Sequence, residues 1–169
     1  MNIIIKKAEK TEHYKIIEIL ADEIWNECYI SIISKEQIEY MLRNFQSENT
    51  VKEQSENGYL YFFAEYNGEY AGYCCIVPEN DGVFLSKFYI KKEFRGKGIA
   101  KQLLKYALEP FLSEKPLRVH LTVNKYNANS IAVYKKMGFE VFNECANDIG
   151  NGFIMDDYEM ECFLNKNVL

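Results

Sequence analysis

Apolar and polar positions along this chain follow two different periods, and their order predicts interleaved strands and helices. Alternating or continuous apolar runs predict strands over residues 2–7, 59–66, 69–77, 83–90, 117–123, 139–145 and 153–163. Apolar residues at helical spacing predict helices over residues 12–25, 35–45, 99–111 and 127–137. Residues 47–57 are polar and acidic, and we expect a loop or a frayed helix there. This order predicts an α+β fold around a mixed, mostly antiparallel sheet.

Short local signals mark the ends of several of these elements. Asn67-Gly68 lies between two aromatic and β-branched runs, which predicts a tight hairpin between those strands. We expect Thr11 to cap the first helix, and Ser34 to cap the second in capping-box register with Gln37. Gly138 follows the last helix at the position where a left-handed residue commonly ends one.

The composition indicates one globular domain over residues 1–169 and argues against several classes of protein. No apolar run is long enough to predict a membrane span, and the first residues do not resemble a signal peptide. The five cysteines form no CxxC pair, and two histidines are too few to favour a zinc site. We therefore expect a cytoplasmic protein with free thiols, no metal and no membrane partner.

The net charge of −5 is distributed unevenly along the chain. Residues 85–136 carry 12 lysines and arginines against 3 acids, whereas residues 1–70 carry 7 against 13. A basic segment inside an acidic protein favours a local site for an anionic small molecule. We do not expect nucleic acid as a partner, because the acidic remainder would repel a polyanion and no nucleic-acid motif is present.

The basic segment contains the most informative motif, Arg95-Gly96-Lys97-Gly98-Ile99-Ala100. It lies between a predicted strand and a predicted helix, where glycines allow a tight turn and the first helical turn offers free N–H groups to an anion. A P-loop signature is absent, and the late position in the chain fits a dinucleotide fold badly. We expect the pyrophosphate of a cofactor to bind here, and a tight turn without a ligand is the alternative.

A second motif downstream makes the assignment more specific, because the two together resemble the GCN5-related N-acetyltransferase (GNAT) superfamily. The superfamily pattern Q/R-x-x-G-x-G/A is matched by Arg95, Gly98 and Ala100. The pattern N-(x)6-Y-(x)3-G-F is matched by Asn127, Tyr134, Gly138 and Phe139. The resemblance extends over essentially the whole chain through the order of elements, and it implies a three-layer fold with helices on both faces of the central sheet.

The resemblance implies acetyl-CoA as the acetyl donor. In this superfamily the backbone amides of the loop hold the CoA pyrophosphate, which maps onto Arg95 to Ala100. The pantetheine arm pairs with the backbone of a central strand, matched here by Phe88-Tyr89-Ile90, where a bulge splays two strands apart. Asn127 can cap the helix that carries Tyr134 and still reach the cofactor, about two helical turns away.

Tyr134 is the predicted general acid. Attack of an amine on the thioester expels a CoA thiolate, and a neutral phenol can protonate it. Periodicity alone favours a core aromatic beside Ile131, whereas the family motif favours the catalytic role. The general base is less well defined, because residues 84–87 of the central strand hold no carboxylate. We expect a water relay, and the side-chain alternatives are Glu27, Glu65, Asp156 and Asp157.

The acceptor site is predicted from two segments that mix aromatic and acidic residues. They contain the predicted substrate-binding residues Trp25, Tyr29, Asp156 and Asp157. Aromatic faces and carboxylates favour a cationic amine, although Trp25 and Tyr29 are equally explained as helix-packing residues. Residues 34–42 and 152–158 are similar to the bacterial spermidine/spermine N-acetyltransferase branch, which implies a polyamine acceptor.

The sequence therefore predicts an acetyl-CoA-dependent N-acetyltransferase that acts on a small primary amine, with a polyamine such as spermidine as the specific candidate, by direct transfer. A covalent cysteine route is not expected, because no histidine forms a Cys/His pair. The alternatives are a protein N-terminal or lysine acetyltransferase and a non-catalytic acyl-CoA-binding regulator. A homodimer through the exposed final strands also stays open.

Overall fold

The computed structural model describes residues 2–166, in which one seven-stranded sheet carries five helices. The strands are β1 (Ile3–Lys7), β2 (Leu60–Tyr66), β3 (Glu69–Glu79), β4 (Gly82–Ile90), β5 (Leu117–Asn124), β6 (Glu140–Gly150) and β7 (Phe153–Leu164). The helices are α1 (Thr11–Cys28), α2 (Lys35–Phe45), α3 (Glu48–Glu56), α4 (Ile99–Leu108) and α5 (Ala128–Lys136). The predicted α+β fold is confirmed. Within the described residues, no helix combines the length and apolar character needed to cross a membrane.

Of the two predicted caps, Ser34 is confirmed and Thr11 is wrong, and of the loop or frayed helix expected over residues 47–57 the structure shows a helix. Ser34 accepts a hydrogen bond from the Gln37 backbone N–H and caps α2. Thr11 is not a cap, since α1 begins at Thr11 itself and the preceding Lys10 makes no capping bond. This helix, α3, is capped by Ser47, which accepts from the Thr50 N–H, and its Val51 is fully buried. Gln54 of the same helix bonds to Tyr61 and Lys87, so this polar segment is held by one buried apolar residue and by side-chain hydrogen bonds.

The helix predicted over residues 99–111 ends earlier, at Leu108. Residues 109–111 form a 3₁₀ turn, because Pro110 lacks the N–H that would continue the α-helical bonding.

Helices pack on both faces of the sheet and divide the interior into two cores. On one face α4 and α5 cover a core that includes Val83, Leu103, Leu104, Val119 and Met160. On the other face α1, α2 and α3 cover a core rich in aromatic rings, which includes Ile17, Trp25, Ile38, Val51, Tyr61 and Tyr73. The three layers that the sequence implied are therefore present.

The sheet has the order β1-β2-β3-β4-β5-β7-β6, and every neighbouring pair is antiparallel except β4 and β5. These two parallel strands pair only at Val83–Val119 and Phe84–His120. Beyond Phe84 they diverge, so the sheet opens into two arms that share a short joint.

A β-bulge in β4 lies next to this joint. Cys75 of β3 is opposite Lys87, whereas the next residue, Ile76, is opposite Leu85, which leaves Ser86 without a partner. An extra residue in one strand reverses which side chains face each side of the sheet. Lys87 and the residues after it are therefore inverted relative to the start of β4.

The inversion can be read from the two cores. Leu85 before the bulge and Phe88 after it both pack on the α4 side, although they are an odd number of residues apart. Lys87 and Tyr89 are turned toward the α1–α3 side instead, where Tyr89 packs among the aromatic rings and Lys87 meets Gln54 of α3. A lysine is thereby placed under the helical layer.

The backbone of β4 lies too close to Gly72 of β3 for a side chain to fit there, and we predict that Gly72→Ala is destabilising. A Cβ at Gly72 would lie 2.3 Å from the Tyr89 carbonyl oxygen and 2.9 Å from the Ile90 Cα, so the backbone must move. We expect the free energy of unfolding to fall by about 1–3 kcal/mol, measured by urea denaturation. Glu69→Ala, at an exposed position of the same strand, is the control; an equal effect of both changes would contradict this account.

Candidate active site

A cavity of about 1360 Å³ opens where β4 and β5 diverge. Its walls come from both arms of the sheet, from the end of α1, from the loop before α4 and from α5. Side chains of α2 and α3 close the end that lies under the helical layer. The cavity therefore reaches from the glycine loop on one side of the sheet to the aromatic core on the other.

The edge of β4 that faces the cavity is free to pair with an extended ligand. Residues 85 and 87–90 pair with β3 on one side, and among the described residues the segment 85–90 has no strand partner on the other. Main-chain groups on such an edge can bond to an added strand or to a chain of amides. Phe88, Tyr89 and Ile90 all line the cavity at this edge.

The loop before α4 has the backbone of an anion site. Gly96 and Gly98 take positive φ values of 74° and 79°, which glycine adopts without strain. Gly98 is the N-cap of α4 and provides no capping side chain, so the first N–H groups of the helix are left for a ligand. Gly98, Ile99 and Ala100 line the cavity, together with Lys101.

The two charged residues of the loop have other contacts. Arg95 donates from Nε to the Ile90 carbonyl at 3.0 Å and from Nη2 to the Cys28 sulfur at 2.9 Å. It thus ties the loop to β4 and to the end of α1. Lys97 lies outside the cavity lining, with its Nζ 5.0 Å from the ring centres of both Tyr66 and Phe94.

Asn127 and Tyr134 lie on the opposite wall of the cavity. Asn127 directly precedes α5, and Tyr134 lies within it. The Asn127 side chain caps α5 by accepting from the Ser130 N–H at 3.1 Å. Tyr134 stacks against Phe88 of β4 with ring centres 6.5 Å apart, so it spans the gap between the arms. Its hydroxyl makes no hydrogen bond within residues 2–166, and burial raises its pKa well above the usual value. Tyr134 is therefore a protonated donor at neutral pH.

The predicted aromatic residues at the end of α1, Trp25 and the following Tyr29, form one stack in the cavity wall. Their ring centres are 4.4 Å apart, and Tyr89 of β4 meets Trp25 edge-on at 5.8 Å. Trp25 and Tyr29 are both buried, so they also pack the core, as the alternative interpretation expected. Burial raises the pKa of Tyr29 to about 12, and hydrogen bonding to Tyr89 and Asn127 opposes that rise.

The four candidate acids lie in very different surroundings. Glu65 pairs with Lys6 at 2.7 Å, remote from the cavity. Asp156 also lies outside the lining, where Lys125 holds it at 2.7 Å, so its predicted contact with substrate has no geometric support. Glu27 lines the cavity but is half exposed and lies 3.8 Å from Lys92. Asp157 is the remaining candidate.

Asp157 is a buried carboxylate that lacks a partner. It lines the cavity, is only 6% exposed, and its Oδ1 has no hydrogen bond within residues 2–166. Burial raises its pKa to about 6, with the Asp156 charge adding to the rise and Lys125 opposing it. Tyr29 is close enough for the two groups to affect each other electrostatically. A buried unpaired carboxylate is costly, which points to a cationic ligand.

Sequence reasoning missed the polar groups at the inner end of the cavity, namely Gln46, Gln54 and Lys87. Gln46 accepts from the Tyr73 hydroxyl at 3.1 Å, and Gln54 accepts from Lys87 at 3.0 Å. A lysine inside an apolar strand was the available signal, but the bulge at Ser86 decides which face it occupies. Among the described residues, no group of His, Cys, Asp and Glu could hold a metal ion.

Comparisons with known proteins agree with the two motifs. The family model described as Acetyltransferase (GNAT) family matches residues 19–139. The Escherichia coli protein named Uncharacterized N-acetyltransferase YjgM is 36% identical over 90 residues, which are 51% of this chain and 54% of the relative. The chain thus spans about half the length of this curated relative. The Thermoplasma acidophilum protein named Spermidine N(1)-acetyltransferase is 29% identical over 161 residues, 92% of this chain and 97% of the relative.

A solved structure has the same fold over nearly the whole chain. The PaiA N-acetyltransferase from Thermoplasma acidophilum, in complex with coenzyme A, superposes with a TM-score of 0.75 at 26% identity. The match covers 97% of this chain and 100% of that one. The similarity therefore extends over both arms of the sheet and all three layers.

We predict that Asp157→Asn stabilises the protein at neutral pH. The carboxyl has a folded-state pKa of about 6 against 3.8 when unperturbed, so the folded state loses stability as the pH rises from about 4 to about 6. Removing the charge should raise the free energy of unfolding at pH 7 by up to about 3 kcal/mol, and by little near pH 4. Urea denaturation at both pH values measures this. Asp156→Asn is the control, because it loses an exposed ion pair and should not stabilise; a loss of stability in Asp157→Asn at pH 7 would contradict the assignment.

Proposed function

Because the chain belongs to the acetyltransferase (GNAT) family, as its two motifs predicted, we propose that it transfers the acetyl group of acetyl-CoA to a primary amine of a small molecule. The observation that carries the proposal is the buried, unpartnered carboxylate of Asp157 in the cavity between the diverging strands. It offers an ammonium group a counter-charge beside the aromatic rings of Trp25 and Tyr29. The free edge of β4 offers the donor a place on the same cavity.

The described residues fit acetyl-CoA, which supplies an activated thioester when bound. The free N–H groups at the start of α4 suit a pyrophosphate, and Lys101 adds positive charge beside them. The edge of β4 that has no strand partner beyond Phe84 suits the amide-bearing pantetheine arm. Asn127 and Tyr134 close the gap from α5.

We infer that two side chains transfer protons during the reaction, one from the attacking amine and one to the leaving sulfur. Asp157 binds the acceptor as its ammonium and takes the proton that must leave before nitrogen can attack. Tyr134 donates its hydroxyl proton to the sulfur that departs, since its phenol is protonated at neutral pH. The rings of Trp25 and Tyr29 exclude water from the space between these groups.

We predict that Tyr134→Phe slows turnover and leaves donor binding intact. General acid catalysis contributes about 10²- to 10⁴-fold, so kcat should fall by at least about 100-fold. The KM for acetyl-CoA should change by less than a few fold, because the ring that stacks on Phe88 is retained. Thiol release at saturating amine measures both quantities. The control is Tyr106→Phe, an exposed residue of α4; unchanged kcat in Tyr134→Phe would remove the acid role.

We predict a pH dependence that belongs to Asp157. In the wild type, kcat/KM for the amine should fall as the pH drops below about 6, where the carboxylate of the free enzyme becomes protonated. In Asp157→Asn this limb should vanish and kcat should be about 100-fold lower at pH 8. A relay through water alone predicts instead that Asp157→Asn keeps most of its rate.

A polyamine such as spermidine is a second, more specific candidate for the acceptor. It is supported by the name of the Thermoplasma acidophilum relative, which matches over 92% of this chain, and by the acidic segments that flank the basic one. A thiol-release screen of spermidine, amino acids, aminoglycosides and peptides decides between acceptors. Peptides as the sole substrates would favour a protein acetyltransferase, and acetyl-CoA binding without release for any amine would favour a regulator.

A further inference from the structure

Lys87 is, after Asp157, the second charged residue of the cavity that has no partner of opposite charge. It lines the inner end and is only 6% exposed, although lysine is rarely buried without an acidic partner. Its Nζ bonds to Gln54 Oε1 at 3.0 Å and lies 5.2 Å from the ring centre of Tyr61 and 5.9 Å from that of Tyr59. These neighbours are neutral, and no carboxylate within residues 2–166 forms an ion pair with it.

The hydrogen bonds of Lys87 are also incomplete. An ammonium group has three N–H donors, and one of them is used by Gln54. Gln54 Oε1 accepts from the Tyr61 hydroxyl as well, so it is shared rather than dedicated to the lysine. Burial lowers the pKa of Lys87, which is the expected response of a cation that lacks a counter-charge. An arriving anion would supply both the missing charge and the missing acceptors.

The two unpaired charges, Lys87 and Asp157, face the same cavity from opposite arms of the sheet. Lys87 stands on β4, and Asp157 stands on β7 opposite Asn124 of β5, beyond the point where the arms diverge. Both side chains line the cavity, Lys87 beside Gln54 of α3 and Asp157 near Tyr29 at the end of α1. The part of the cavity proposed for the acceptor therefore has a negative side chain, Asp157, on one arm and a positive one, Lys87, on the other.

We propose that the acceptor is a zwitterionic amine of the amino-acid class, with its ammonium at Asp157 and its carboxylate at Lys87. The proposal rests on the proposed N-acetyltransferase function and narrows its substrate class. An acceptor with one charge of each sign neutralises both side chains at once. A diamine places a second cation toward Lys87. The two like charges repel, and water screens them little because Lys87 is buried.

A substrate panel on the unmodified enzyme tests the proposal without any mutation. γ-Aminobutyrate, butylamine and putrescine share a four-carbon chain and end in a carboxylate, a methyl group and an ammonium group. Glycine, alanine and β-alanine extend the panel to shorter spacings. We expect the best amino carboxylate to exceed its matched alkylamine or diamine in kcat/KM by about 10- to 100-fold, the value of a hydrogen-bonded charge pair.

Two variants assign this preference to Lys87. Lys87→Met keeps an unbranched side chain of similar size, one heavy atom shorter and without the charge, and it should bring the carboxylate, methyl and ammonium substrates to within a few fold of one another. Lys87→Arg keeps the charge and should retain the preference. Thermal unfolding and the KM for acetyl-CoA show that each variant folds and binds its donor.

The outcomes separate this proposal from the function on which it rests. Thiol release with putrescine or spermidine at least as efficient as with every amino carboxylate overturns the carboxylate proposal and leaves the N-acetyltransferase function standing. A preference that survives in Lys87→Met overturns the role of this residue. No release with any amine contradicts the proposed function itself.

Discussion

The short parallel joint between β4 and β5 is the constraint on which the rest of the structure depends. Two residue pairs hold the strands together, and beyond Phe84 nothing in the ladder keeps them parallel. Each arm is secured elsewhere, β4 by its long pairing with β3 and β5 by its long pairing with β7. The sheet can therefore open without losing its core, and the opening is the cavity.

The bulge at Ser86 gives that opening two chemically different sides. It inverts β4, so that Phe88 meets Tyr134 on the α4 side while Lys87 and Tyr89 turn under the first helices. The α4 side and the free edge of β4 offer backbone and helix N–H groups, which suit a phosphate-bearing chain of amides. The α1–α3 side offers the buried, unpaired charges of Lys87 and Asp157, and these suit a small charged molecule.

Much of this arrangement could be predicted from the sequence, and the rest depends on contacts between distant residues. Glycines 96 and 98, the Asn67-Gly68 hairpin and the Ser34 cap act locally, so their geometry follows from a few neighbouring positions. The polar helix Glu48–Glu56 buries Val51 among core residues that are distant from it in the sequence. Which acid lines the cavity depends on the face of β7 that is turned toward it: Asp157 lies on that face, and its neighbour Asp156 lies on the other, where it pairs with Lys125.

A crystal structure with CoA and the product of the best acceptor would show whether the gap between β4 and β5 is the active site. We expect the pantetheine amides to bond to the free edge of β4 between Leu85 and Ile90. We also expect the CoA sulfur within hydrogen-bond distance of the Tyr134 hydroxyl, with the acceptor on the Asp157 side of the sheet. A cofactor bound outside the gap between β4 and β5, or a sulfur remote from Tyr134, would contradict this assignment.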